Sequence, residues 1–201
     1  MLDSVTRVAK ESVLNPIAEV FKTVHPNTIT VVSIFPGILA AWFAYQNMIG
    51  FSVAMWALNR ILDGLDGTIA RNFGLQTDFG GYLDILIDFM IYALIPIGLV
   101  LGRPDPVNWV MLAILLMIYY INGASWMYLS AILEKKSAGA KKNREMTSVT
   151  MPTGIIEGTE TVIAYFVFLL LPQFSAILFG VFATLVLLTI IQRLVWAKQN
   201  I

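Results

Sequence analysis

Apolar residues run along this chain in long unbroken stretches rather than in the stripes of a soluble amphipathic helix. From Thr28 to Leu58 no charged residue occurs. That run is too long for one membrane helix of about 20 residues, and Gln46-Asn47 with Gly50 marks a break. Two spans result, over roughly 28–45 and 51–71. A third runs from about 80 to 101, ended by Gly102-Arg103-Pro104, and a fourth from about 107 to 133. Pro172-Gln173 separates a fifth and a sixth, over roughly 154–171 and 174–193. The pattern therefore predicts an all-α integral membrane protein. It is read as a single domain over 1–201, a six-transmembrane-helix bundle between about 28 and 193. The first 25 residues alternate apolar and charged positions at helical spacing, with Val13, Ile17, Val20, Phe21 and Val24 toward one face. They predict an N-terminal interfacial amphipathic helix over 1–25, too polar to span and lacking the apolar core of a cleavable signal.

Composition agrees with lipid as the solvent: 58% of residues are hydrophobic, only 13% are charged, and mean hydropathy is +0.76. Thirteen basic residues balance thirteen acidic ones, so nothing in the totals supports a nucleic-acid partner. Cysteine is absent, which removes disulfides and thiolate metal sites. With six spans, Arg7, Lys10, Lys22, Arg71, Lys135, Lys136, Lys141, Lys142, Arg144, Arg193 and Lys198 fall on one side and Arg103 on the other. The positive-inside rule makes the first side cytoplasmic.

The charges inside the apolar runs are the chemistry. Ionisable groups at the centre of a span cost roughly 2.5–3.5 kcal/mol each and mark function by default. The second predicted helix carries Arg60, Asp63, Asp66 and Arg71, and the third carries Asp84 and Asp88. At 3.6 residues per turn, Asn59, Asp63, Asp66, Gly67 and Ala70 share an arc of roughly 100°, and Gly80, Asp84 and Asp88 form one stripe. A short loop joins the helices, so the two stripes are expected on antiparallel neighbours. Four facing carboxylates repel one another unless a cation compensates them. Oxygen donors without His or Cys select hard ions such as Mg²⁺ or Mn²⁺, and two such ions suit phosphoryl chemistry at a diphosphate. Pairing with Arg60 and Arg71 alone leaves two of the four acids uncompensated.

Asp63-Gly64-Leu65-Asp66-Gly67-Thr68-Ile69-Ala70-Arg71, then Gly80, Asp84 and Asp88, meets every fixed position of DxxDGxxARx₈GxxxDxxxD. The chain thereby resembles the CDP-alcohol phosphotransferase family over essentially its whole length, including Pro26-Asn27-Thr28-Ile29-Thr30, similar to the family's PNxxT entry to helix one. The resemblance implies an enzyme with two metals on Asp63, Asp66, Asp84 and Asp88, and with Asp88 as general base. Asp66, Gly67, Ala70, Arg71 and Gly80 would meet the cytidine nucleotide. It also implies CDP-diacylglycerol or another CDP-alcohol as donor, a small alcohol acceptor, release of CMP, and a homodimer among membrane lipids. An inner or plasma membrane with the site facing the cytoplasm follows from the charge pattern.

Acceptor contacts are expected from Asn122 on helix four and from Thr153, Glu157 and Glu160 at the start of helix five. The two glutamates equally fit an acid-rich first turn stabilised by the helix dipole. Two competing functions use intramembrane acids. An aspartate-rich prenyltransferase would place its acids on well-separated helices, and the Gly-x-x-Ala-Arg continuation argues against it. An ion or proton transporter would spread its acids through the membrane depth, whereas these gather near one surface.

Overall fold

The computed structural model describes residues 14–136 and 154–201, so Thr153, Val13, Lys141, Lys142 and Arg144 lie outside the described residues. Within them the chain is helical: α1 (Pro26–Tyr45), α2 (Ile49–Asn72), α3 (Asp78–Gly102), α4 (Pro106–Lys135), α5 (Gly158–Leu170) and α6 (Ser175–Asn200). A 3-10 turn, Pro172–Phe174, leads into α6, and a helical segment over 14–20 precedes α1.

Among the described residues four helices, not six, are long and apolar enough to cross a membrane: α1, α3, α4 and the run Pro172–Asn200. The six-span expectation fails at α2 and α5 for different reasons. α2 has the length, but Arg60, Asp63, Asp66 and Arg71 occupy its second half. α5 has only 13 residues, about 20 Å of helix against a hydrocarbon core of about 30 Å. It starts at Gly158 because Glu157 is extended (φ −120°, ψ −164°) and caps it, so 154–157 is not helix. The protein is an all-α integral membrane protein with two further helices that do not meet the requirements of a span.

Local chemistry explains the other ends. His25 Nδ1 accepts from the Asn27 N–H at 3.2 Å and Pro26 opens α1, so His25 is a cap. Asp105 caps α4, again ahead of a proline. Between α1 and α2 the chain turns at Asn47, a non-glycine residue in the left-handed region (φ 58°). Its side chain holds the corner against α3: Nδ2 donates to the Gly102 carbonyl at 2.8 Å, and Oδ1 accepts from Arg103 Nε at 2.6 Å. The segment over 14–20 buries Leu14 and Ala18, the latter beside Ile29, Leu65 and Ile69, while Ile17, Val20 and Phe21 stay exposed on its outer side.

α1 is the central contact surface of the N-terminal half, packing extensively on both α2 and α3, while α4 pairs with α6 and α5 lies against α2. α1 meets its partners through small residues. A Cβ added at Gly98 would overlap the backbone carbonyl of Ala41, and one at Gly102 would meet the carbonyls of Ala44 and Tyr45. Such close approach is how helices gain packing in lipid, where no hydrophobic force drives them together. Polar groups fasten α2 to α1 at heptad spacing: Ser52 Oγ donates to the Ala40 carbonyl at 2.7 Å, Asn59 Nδ2 to the Ser33 carbonyl at 2.8 Å, and Asp66 accepts from Thr30 Oγ1. An aromatic core of Trp56, Tyr165, Phe168 and Phe179 joins α2 to α5 and α6.

The Gly98 contact is with backbone, which cannot swing away. Gly98→Ala should therefore destabilise the fold by about 1–3 kcal/mol. Gly50→Ala, where a Cβ meets nothing within 4 Å, should cause no loss. Thermal melting of both variants in detergent checks this, and equal melting temperatures would contradict the α1–α3 seam.

Candidate active site

The acids sit at the α2–α3 end of the bundle, joined by a turn in which Gly74 takes φ 65° and Thr77 Oγ1 accepts from the Gly80 N–H at 3.0 Å. α2 and α3 were expected as antiparallel neighbours, and their side chains do meet; their backbones, however, approach one another little among the described residues, and α1 packs against each of them. The two acid rows consequently face one another across a cleft whose far wall is α1. Large side chains span the gap between the helices: Trp56 of α2 meets Tyr92 of α3 edge-on at 6.0 Å, and Arg60 reaches across to Asp88.

Within the cleft Asp66 is buried and accepts a hydrogen bond from Thr30, while Asp63, Asp84 and Asp88 are half-buried. Asp63, Asp66 and Asp88 are the carboxylates that act electrostatically on Asp84, so the structure brings all four into one field. Among the described residues no three of them form a group that could hold a metal ion as placed. The donor set itself, carboxylates with no His or Cys, fits a hard divalent cation.

Arg60 is the partial realisation of the ion-pair alternative. Its Nη2 donates to Asp88 Oδ1 at 2.8 Å and its Nη1 lies 3.6 Å from Asp63 Oδ2. Nothing in the motif had singled it out, although a charged residue following Asn59 in an otherwise apolar run was a visible signal. Thr30 was equally unassigned as a partner of Asp66, and its position within the Pro26–Thr30 entry was the available clue.

The small residues have separate surroundings. A Cβ at Gly67 would lie 3.0 Å from Nη1 of Arg71, whose own guanidinium folds back over that face. One at Gly80 would lie 2.9 Å from Asn27 Oδ1, so Gly80 admits the Asn27 side chain of the α1 entry. Ala70 is half-buried on the same side of α2.

Asn122, Glu157 and Glu160 bond to partners other than the four aspartates. Glu157 Oε1 accepts from the Gly154 N–H at 3.1 Å; separately, the Glu157 side chain accepts from the Glu160 N–H while Glu160 Oε2 accepts from the Glu157 N–H at 3.1 Å, the reciprocal box of a helix start. Asn122 Oδ1 accepts from Arg193 Nη1 at 2.9 Å. Arg193, counted in the sequence only toward topology, is buried on α6 within the electrostatic reach of Glu157, and its Nε has no hydrogen-bond partner among the described residues. Helices α4, α5 and α6 thus converge on one guanidinium.

Comparison with known proteins places these features. The model of the family described as CDP-alcohol phosphatidyltransferase matches residues 23–191. The chain is 33% identical over 174 residues to the inner membrane protein YnjF of Escherichia coli (strain K12), covering 87% of this chain and 82% of that protein. It is 30% identical over 200 residues to the archaetidylinositol phosphate synthase of Pyrococcus horikoshii, covering 96% of each. The fold matches a crystal structure of Mycobacterium tuberculosis phosphatidylinositol phosphate synthase with CDP-DAG bound at a TM-score of 0.71, with 20% identity, over 92% of this chain and 94% of that one. A second structure of that enzyme, in complex with manganese and citrate, matches at a TM-score of 0.69 with 21% identity, over 92% of this chain and 88% of that one. The chain belongs to the CDP-alcohol phosphatidyltransferase family, and it is a membrane transferase of that reaction class.

The glutamates at α5 separate two roles cleanly. Gln can still accept from a backbone N–H, so a capping role makes Glu160→Gln nearly silent while Glu160→Ala costs about 0.5–2 kcal/mol of stability. Thermal melts of the two variants check the cap. A raised acceptor KM in Glu160→Gln with an unchanged melt would assign the carboxylate to the acceptor instead.

Proposed function

We propose that this protein transfers the phosphatidyl group of CDP-diacylglycerol to the hydroxyl of a small alcohol, releasing CMP, at the cleft between α2 and α3. The observation that carries the reading is the gathering of Asp63, Asp66, Asp84 and Asp88 into one electrostatic field across a cleft, in the order and spacing of the family signature. A structural relative named with CDP-DAG bound, and the same enzyme with manganese, support the donor and the ion.

The four aspartates would hold two Mg²⁺ or Mn²⁺ ions, which supply charge neutralisation of the diphosphate and acidify an attacking hydroxyl. Asp88 accepts the acceptor's hydroxyl proton as the new P–O bond forms at the diacylglycerol-bearing phosphorus. The P–O bond to CMP breaks, and CMP leaves with the bridging oxygen. Gly67 and Ala70 give the nucleotide a wall without bulk, Asp66 stands beside them, and Arg71 supplies a guanidinium for a phosphate oxygen. Gly80 serves the same face indirectly, through its contact with Asn27.

The acceptor is assigned to the neighbouring convergence of Asn122, Glu157, Glu160 and Arg193, with Thr153 beyond the described residues. The unpartnered Nε of Arg193 supports a polar or anionic group there, as does a relative named for making archaetidylinositol phosphate. The cleft is proposed to open toward the cytoplasm of an inner or plasma membrane, and the working unit to be a homodimer, as the family resemblance implies.

Purified protein in detergent or nanodiscs should release CMP from CDP-diacylglycerol when acceptors are screened, stop in excess chelator, and restart with Mg²⁺ or Mn²⁺. Undiminished turnover in chelator would remove the two-ion mechanism. Asp88→Asn should abolish turnover yet retain much of the metal-dependent CDP binding, whereas Asp66→Asn should lose both. Substantial turnover by Asp88→Asn would exclude that base.

A further inference from the structure

Arg60 has more partners than a charge-neutralising residue needs. It is 9% exposed. Nε and Nη2 both donate to Asn59 Oδ1, at 2.8 and 2.6 Å; Nη1 donates to Tyr92 Oη at 3.2 Å; and Nη2 also donates to Asp88 Oδ1 at 2.8 Å. The guanidinium carbon lies 4.6 Å from the ring centre of Trp56 and 5.4 Å from that of Tyr92. Trp56 is fully buried and its indole N–H has no hydrogen-bond partner among the described residues, a cost of about 1–3 kcal/mol. The indole is kept there for its ring, which makes one face of an aromatic seat for the cation. Asn59 is itself tied to α1 through the Ser33 carbonyl. The guanidinium is therefore immobilised by α1, α2 and α3 together.

What it spans matters more than what it neutralises. The backbones of α2 and α3 approach one another little here, so the separation of their acid rows is left to the large side chains that bridge them. Arg60 touches Asp63 on its own helix and Asp88 on the other. A buried ion pair adds little net stability on average, because desolvation offsets the attraction. Its value lies in fixing geometry, and the planar fork of arginine does this where a lysine ammonium cannot.

We propose that Arg60 is a positioning residue: a strut seated on Trp56 and Tyr92 that sets the spacing and orientation of Asp63 and Asp88 across the cleft before any ligand arrives. The inference rests on the phosphatidyl-transfer reading of the site. Arg60 makes the acids ready for the reacting groups at the expense of cation affinity, since its fixed positive charge opposes a divalent ion bound by the same carboxylates. Removing that charge and removing that geometry thus have opposite signs in two different measurements.

Arg60→Gln, Arg60→Lys and Tyr92→Phe proteins, purified alongside the parent, separate these effects. Mn²⁺ affinity is measured without nucleotide or lipid, by electron paramagnetic resonance of free Mn²⁺, and CMP release gives kcat and the donor KM. Arg60→Gln should bind Mn²⁺ about tenfold more tightly, because a like charge is gone from a weakly screened site. Its kcat should fall about 100-fold, the scale of a 1 Å misplacement of reacting groups, with the donor KM within about threefold. Arg60→Lys should keep Mn²⁺ affinity near the parent's and recover less than about a tenth of kcat, since the charge remains and the fork does not. Tyr92→Phe keeps the ring and removes one hydrogen-bond acceptor of the guanidinium. It should lower kcat about three- to tenfold with a melting temperature lowered by no more than a few degrees, and this arm stands even where the Arg60 variants do not fold. Parent-like kcat in Arg60→Gln, full rescue by Arg60→Lys, unchanged kcat in Tyr92→Phe, or joint loss of Mn²⁺ binding and stability in both Arg60 variants would each overturn the strut. If the parent itself releases no CMP from CDP-diacylglycerol, the donor reading fails, and the ordering of Mn²⁺ affinities still decides whether Arg60 governs the acids.

Discussion

Holding four carboxylates close together at the edge of a lipid phase is the constraint around which this molecule is arranged. Each such group loses hydration when a bilayer surrounds its helix, and each repels the next. The chain meets this with hydrogen bonds from α1 and a guanidinium between α2 and α3. Thr30 serves Asp66, Arg60 serves Asp63 and Asp88, and Asn59 holds Arg60 to both its own helix and the Ser33 carbonyl. The same requirement explains why α2 is the least membrane-like of the long helices: its second half is given over to the site.

α1 makes the cleft possible by being narrow. Its inner positions, among them Ser33, Gly37, Ala40, Ala41 and Ala44, are small and buried, so α2 and α3 can both approach it closely. Glycines on α3 complete the approach, Gly98 and Gly102 against α1 carbonyls and Gly80 against Asn27. A thicker α1 would push its partners outward. With a thin one, the spacing of α2 and α3 falls to the large residues that bridge them, Trp56, Arg60 and Tyr92. Tyr92 also ties the cleft to the C-terminal half, because its carbonyl accepts from the Tyr165 hydroxyl on α5.

The C-terminal half carries a second polar centre with a different logic. α5 is short, and its N-terminal segment is tied to α6 where the Ile156 N–H donates to Thr189 Oγ1 at 3.0 Å. That anchoring brings Glu157 toward Arg193, which in turn bonds Asn122 of α4. Glu157 and Glu160 use their carboxylates on backbone groups of the same turn, so their first duty is to begin a helix. Arg193 retains a buried Nε–H without a hydrogen-bond partner among the described residues.

From sequence alone, the all-α membrane class, the four aspartates, the signature they belong to and the reaction class were legible. These depend on residue identity at fixed spacing, and a hydrocarbon solvent tolerates only apolar helices with few, purposeful charges. The number of spans was not legible, since counting apolar residues could not tell that Glu157 would start α5 late and leave it 13 residues long. Nor was the cleft. A short loop suggested that α2 and α3 were antiparallel neighbours, but only the three-dimensional placement of α1 against both showed that side chains such as Arg60 bridge the space between their backbones. Arg60 was visible as a misplaced charge, but its partners lie on α3, 28 residues away at Asp88 and 32 away at Tyr92. Periodicity along one helix determines which residues share its face; which other face lies opposite is decided by how closely all the helices can approach one another.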